Sequence, residues 1–202
     1  NADLCSDTSI LIDLLYAYLT YYVLAAIGIT FGYHRYFAHC DYKVTPIAEV
    51  FLLFCGLLCG GRSALSWAGV HRMHHAYADT EKDPHSPKYL AWWKVIFSVW
   101  WIKKIPRKFV KDLYRNPRVM FFHRYGLIIL IVSYVTFYFI NPNIILYLLA
   151  ALILPWFFYG ALNYLGHNDN GPINRWWINI FAPFEGNHEN HHMEKQKRIT
   201  SI

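Results

Sequence analysis

Charge is what this sequence has least of. Asp, Glu, Lys and Arg make up 16% of its 202 residues, against roughly 25% in an average globular chain. That disfavours a domain that faces water on every side. Cysteine is sparse too. Cys5, Cys40, Cys55 and Cys59 follow neither a zinc-site spacing nor a disulfide framework, and Cys55 and Cys59 sit in an apolar run as small packing residues. There is no C-x-x-C-H string, no iron–sulfur cysteine pattern and no dinucleotide fingerprint. These absences exclude a recognisable built-in redox carrier.

What replaces charge is apolar and aromatic: 55% of residues are hydrophobic and 19% aromatic, with 16 tyrosines and eight tryptophans. Many rings are expected where a protein meets a membrane interface. The formal charge of +6 is concentrated between Lys94 and Arg124, beside hydrophobic segments. That placement argues against nucleic acid and for a cytoplasmic loop near anionic headgroups. Residues 10–31 form an apolar run long enough to cross a hydrocarbon core of about 30 Å, with Asp13 near its start. No basic residues precede it and no small-residue cleavage pattern follows, so it reads as a retained membrane helix. The chain opens on Asn1 rather than Met, and a missing or processed start is expected. Residues 126–140 and 144–160 flank Asn141-Pro142-Asn143, a turn signal, and predict a transmembrane hairpin. Residues 46–65 are apolar but interrupted by Glu49 and Gly60-Gly61-Arg62. They predict an interfacial or partly inserted helix. Residues 89–122, mixing aromatics with lysine and arginine, predict amphipathic helices on the headgroups.

Eight of eleven histidines fall into three groups. His71, His74 and His75 are spaced i, i+3, i+4, which on a helix stacks three rings on one face; His188, His191 and His192 repeat the spacing. His34 and His39, five apart, suit a helix end or irregular turn. His167 follows Asn163 by four and shares its helix face. Neutral imidazole binds divalent transition metals, and this many histidines exceed the three or four ligands of one zinc. The spacing implies a dinuclear, imidazole-rich site without naming the metal. If the three groups form one site they lie on one side of the membrane. The hairpin preserves that arrangement, whereas a full crossing by 46–65 would break it. Two rivals use fewer histidines. His188-Glu189-Asn190-His191-His192 is an H-E-x-x-H string, the mark of zinc metalloproteases, and a bis-histidine haem protein would also leave most groups unused.

The boxes His34-Arg35-Tyr36-Phe37-Ala38-His39, His71-Arg72-Met73-His74-His75 and Glu185-Gly186-Asn187-His188-Glu189-Asn190-His191-His192 together resemble the membrane fatty-acyl desaturases of the stearoyl-CoA and acyl-lipid delta-9 type. Asp79-Thr80-Glu81-Lys82-Asp83-Pro84-His85 is similar to that family's segment after its second box, and the likeness extends over residues 28–195. The resemblance implies a single all-α integral-membrane domain over 1–202, whose transmembrane helices carry a cytoplasmic helical cap with the dimetal site. It implies two irons held by His34, His39, His71, His74, His75, His167, His188, His191 and His192, with Asn163 acting through a water. His85, Asp79, Asp83, Glu185 and Glu189 are expected behind or beside those ligands. Trp67, Trp176 and Trp177 are candidates for the wall of an acyl tunnel. Lys103, Lys104, Arg107 and Lys108 are candidates for docking a headgroup or an electron donor. The implied chemistry is an O2-dependent cis double bond, at delta-9, in a long-chain acyl-CoA or acyl-lipid, with electrons from a separate cytochrome b5-like or ferredoxin-like protein. The implied location is the endoplasmic reticulum in a eukaryote, or the inner or thylakoid membrane in a bacterium. Related di-iron hydroxylases share the box layout, and a metal-binding relative without catalysis is a further alternative. Two helices precede the first box in that family and one does here, so a first helix is expected to be missing. Phe184 stands where glycine is common, and Glu189 where a neutral residue is usual.

Overall fold

A computed structural model describes residues 2–98 and 104–199, and the side chains of 8–98 and 104–194. Lys103 lies outside the described residues. Among the described residues the regular structure is helical apart from a two-stranded hairpin, β1 (His167–Asn168) with β2 (Gly171–Pro172). Among the described residues, three helices are long and apolar enough to cross a membrane: Thr8–Ala38, Pro117–Ile140 and Asn143–Leu165.

The first of these, α1 (Ala2–Ala25), runs directly into a π-helical stretch, Ala26–Ala38. The expected stop at Phe31 does not occur. No proline interrupts the run, and Tyr33, His34 and Phe37 are buried rather than solvated, so the helix carries the first histidine box into the interior. Gly28 makes this possible, because a Cβ there would stand 2.3 Å from the Gly56 amide nitrogen. The partner is α2 (Pro46–Leu58), capped by Thr45 with proline at its first turn. Its 13 residues reach only about 20 Å at 1.5 Å per residue. A turn through Gly60 and Arg62, both at positive φ, then leads into α3 (Ala64–Tyr77), capped by Ser63.

The basic stretch differs from its sequence reading. Among the described residues of 89–115 there are only short pieces: α4 (Trp92–Ile96), a 3-10 turn at Arg107–Phe109, and α5 (Lys111–Arg115). Residues 117–122 belong to α6 (Pro117–Ile140), because Asn116 accepts from the amides of Arg118 and Val119 and Pro117 supplies the first helical position. After the turn at residues 141–142, α7 (Asn143–Leu165) returns toward the site, followed by the hairpin, a 3-10 turn at Trp176–Ile180 and α8 (His188–Ile199).

The outer surface of the long helices is the reverse of a soluble protein's. Leu127 is 71% exposed and Phe139 81% exposed, and Leu11 and Ile128 also face outward. Lipid solvates such side chains, and the helices satisfy their own backbone groups. Polar residues within the spans find partners. The Tyr147 hydroxyl donates to Asp13 at 2.7 Å, joining α7 to α1. Hydroxyls of Tyr18, Tyr21 and Tyr22 donate to the carbonyls of Ile180, Phe181 and Asn179, tying α1 to the segment before the third box. Glu49 on α2 is buried and accepts from Tyr36, Asn116 and Arg118, which anchors the start of α6.

Candidate metal centre

All nine sequence-selected histidines converge, in two groups. His34, His39, His71, His75 and His191 form one; His74, His167, His188 and His192 form the other. In each, one ligand nitrogen per residue lies within 4.8 Å of every other. The helical spacing explains the partition. On α3, His71 and His75, four apart, face the first group while His74 turns to the second. On α8, His188 and His192 serve the second group and His191 the first. Each helix therefore straddles both groups.

The donor spacing is that of a metal ligand shell. In the five-histidine group the Nε2 atoms of His34 and His191 are 2.9 Å apart, His191 and His75 3.0 Å, His75 and His71 3.0 Å, and His71 and His39 2.9 Å. A metal–nitrogen bond of about 2.1 Å gives an edge of about 3.0 Å between ligands at right angles, which suits five or six coordination. In the second group His74 and His192 are 3.2 Å apart and His167 and His188 3.1 Å. The residues present fit two metal ions.

Three carboxylates stand behind the histidines. His34 Nδ1 lies 2.7 Å from Glu185, His74 Nδ1 2.9 and 3.0 Å from the two oxygens of Asp83, and His167 Nδ1 3.1 and 3.2 Å from those of Asp79. An Nδ1–H donated outward fixes the tautomer that turns the Nε2 lone pair inward and raises its basicity. Asp79 adopts positive φ, and its amide donates to Asp83 at 3.0 Å, so one turn presents both acids. Burial alone would raise the Asp83 carboxyl, but the hydrogen bond and charge of His74 hold it down at about 2. Burial first, then neighbouring imidazoles, push His71, His75, His188 and His192 well below the ordinary histidine range. They are neutral at pH 7, as ligation requires.

Glu189 is placed differently: its carboxylate accepts from the Asn174 side chain at 3.2 Å. Among the described hydrogen bonds it backs none of the nine histidines, whereas a metalloprotease would need it as general base at the metal. His191 joins the opposite group from His188 and His192, which also departs from that arrangement. Phe184 has φ of 62°, the left-handed region glycine prefers, and its ring packs on Phe31.

Beside the histidines lies a cavity of about 360 Å³. Trp67 lines it and stacks on His71 with ring centroids 5.0 Å apart. Asn163, His188, His71 and His34 also reach it. Trp176 and Trp177 are not among its lining; Trp176 is 76% exposed and Trp177 packs on Phe181. His85 lines the cavity with its ring 4.4 Å from that of His74 and neither ring nitrogen paired with a protein atom; burial pushes it down to about 3. Lys104, Arg107 and Lys108 are exposed. Arg107, Lys108, Lys111, Tyr114 and Arg115 line a basic cleft, and Tyr114 lines both it and the cavity.

Sequence reasoning missed two residues. Arg72, within the second box, donates to the carbonyls of Phe37 and Ala38, just before His39, to Phe109, and to both oxygens of Asp112. His123 meets Ser63 Oγ at 2.8 Å and lines the cavity. The arginine could have been found from its fixed place inside a histidine box. Asp112 carried no local signal.

Comparison with known proteins agrees with this geometry. A fatty acid desaturase family model matches residues 13–197. An sn-1 stearoyl-lipid 9-desaturase of Anabaena variabilis is 30% identical over 191 residues, 87% of this chain and 70% of that protein. Delta-9 acyl-lipid desaturase 2 of Arabidopsis thaliana is 29% identical over 203 residues, covering 88% and 63%. A probable acyl-CoA desaturase of Schizosaccharomyces pombe is 32% identical over 200 residues, covering 86% and 40%. The chain thus spans 40% to 70% of the length of these relatives. With the match running nearly end to end and the histidines gathered into two ligand sets, the chain belongs to the fatty acid desaturase family.

Proposed function

We propose that this protein is an oxygen-dependent fatty-acyl desaturase that inserts a cis double bond at delta-9 into a long-chain acyl-CoA or acyl-lipid. The observation that carries the proposal is the pairing of two imidazole clusters with an apolar cavity that reaches both. Two irons would be held by the five- and four-histidine groups, and Asn163, at the cavity wall beside His188, would complete the smaller group through a water. Iron supplies the reaction with O2 that an unactivated C–H bond demands. In balance, O2, two electrons and two protons take two hydrogens from adjacent methylenes and leave a double bond and two waters.

The chain's own residues do the rest. Glu185, Asp79 and Asp83 orient His34, His167 and His74. The apolar walls, Trp67 among them, exclude water and hold one methylene pair at the histidines, because a saturated chain offers no polar handle. The cleft of Arg107, Lys108, Lys111 and Arg115, adjoining the cavity at Tyr114, would attract a substrate phosphate or an acidic, cytochrome b5-like or ferredoxin-like donor. Lys104 lies close in sequence to this cleft. The basic loop supports a cytoplasmic side for the site, by the positive-inside tendency.

Total fatty acids of a desaturase-deficient host expressing the chain, resolved by gas chromatography–mass spectrometry, test the proposal. A new monounsaturated acid that disappears with His74→Ala is expected. A hydroxy acid in its place would reassign the protein to the hydroxylases.

A further inference from the structure

His85 belongs to neither of the two large histidine groups, yet it is only 4% exposed and neither of its ring nitrogens meets a hydrogen-bonding protein atom. A neutral imidazole offers one donor and one acceptor, and a buried polar atom left without a partner is costly and rare. The ring is held from behind. Its own amide donates to Asp83 Oδ1 at 3.0 Å, and the ring lies against His74, with centroids 4.4 Å apart. From there it lines the cavity, as do Asn163 and His188. A cation is a poor occupant. His74, Asp83 and His85 lie close enough together to hold one, but Asp83 already accepts from His74 Nδ1 and from the amides of Asp79 and His85. A cation there would also displace the Nδ1–H that keeps the His74 Nε2 lone pair turned to its own group. Water fits better. It matches both the donor and the acceptor, and a cavity of about 360 Å³ has room for it.

The loop that carries His85 reaches the surface on both sides of it. Lys82 and Lys88 are exposed, and between them Asp83, His85 and Ser86 are buried. The chain thus turns from the surface to the cavity wall and back between the two lysines. We propose that His85 is a water-binding site in the cavity wall, and the first station by which water formed at the histidines leaves through the 79–88 loop. The inference rests on the desaturase reading above, in which each turnover makes two waters beside an acyl chain that must stay dry. The side chains of Leu65, Val70 and Leu162 on the cavity wall offer that water no hydrogen bond, whereas His85 offers a donor and an acceptor.

The test pairs a structure with kinetics. In a structure of the iron-loaded wild type with ordered water resolved, a water is expected within about 3.2 Å of a His85 ring nitrogen. Ring nitrogens that meet only protein or acyl atoms overturn the proposal. Bound iron, turnover and reductant consumed per double bond are then measured for the wild type, His85→Gln and His85→Phe. All three are expected to hold equal iron, because His85 is not a ligand. His85→Gln keeps a donor and an acceptor and should keep turnover within about threefold. His85→Phe keeps a flat ring without them, and its kcat should fall about tenfold at unchanged KM, the effect of about one hydrogen bond. An iron-loaded His85→Phe protein with wild-type turnover overturns the proposal. So does a loss of metal in His85→Gln, which would make His85 a ligand. If His85→Phe fails to load iron, His85→Leu replaces it in the comparison, and the wild-type water still decides the site. Water at His85 in a protein that makes no unsaturated product overturns the desaturase reading and the exit with it, while the water site stands.

Discussion

The amide of His39 donates to the carbonyl of His34 at 3.1 Å, and their rings lie 4.9 Å apart. This is the five-residue hydrogen bond of a π-helix, and it resolves a spacing that fits no α-helical face. Residues five apart are brought edge to face by the same bond that defines the turn. An alanine inserted between Phe37 and Ala38 should rotate His39 away from His71 while leaving the other group untouched. Bound iron, measured by atomic emission, is expected to fall by about one atom per chain. Unchanged iron would mean that His39 is not a ligand.

The three carboxylates behind the ligands predict a graded response. Glu185→Gln, Asp83→Asn and Asp79→Asn should each weaken metal binding by roughly 10- to 100-fold, read as a shift in iron retention against a chelator. Glu189→Gln, at a residue hydrogen-bonded to Asn174, should leave retention unchanged. A protease-like role for Glu189 would reverse that order.

Arg72 acts at one remove. Its guanidinium joins the carbonyls that precede His39 to Asp112 on α5, in a planar fork that lysine does not reproduce. Arg72→Lys should cost about 1–3 kcal/mol of stability, measured as thermal unfolding in detergent, and should lower iron in the five-histidine group. Asp112→Asn should do less, because that side chain is 54% exposed and its ion pair is screened.

Acid should destabilise the metal-free protein. His71, His75, His188 and His192 are held well below the ordinary histidine range by burial, and His85 is pushed down to about 3. As pH falls below about 6.5, the unfolded chain takes up protons that the folded chain refuses, so stability falls, by up to about 1.4 kcal/mol per pH unit for each such histidine. Unfolding temperature of the apo-protein should hold between pH 8 and about 6.5 and drop steadily from there to pH 5; a flat profile throughout would mean these rings are not buried and neutral.

Much of this was legible in the residues. The i, i+3, i+4 spacing placed His71, His74 and His75 on one helix, and the Asn-Pro-Asn turn divided α6 from α7. The 5 + 4 division was not legible, because it depends on how α3 and α8 cross, a tertiary fact. The extension of the first helix through the first box was missed because the polar run Tyr33-His34-Arg35 follows the apolar residues at once. Among the described residues, the basic stretch forms short pieces rather than amphipathic helices, since Pro106 and Pro117 interrupt it and Asn116 restarts it as α6. Of the three tryptophans proposed as tunnel wall, only Trp67 lines the cavity. Aromatic composition alone could not distinguish it from Trp176 and Trp177.

The most direct test of the two-ion account is iron per chain in protein purified after anaerobic loading with ferrous iron. Two atoms are expected for the wild type, with about one remaining in His39→Ala, from the five-histidine group, and about one in His167→Ala, from the four-histidine group. One atom in the wild type, or a single substitution that leaves both in place, would contradict it.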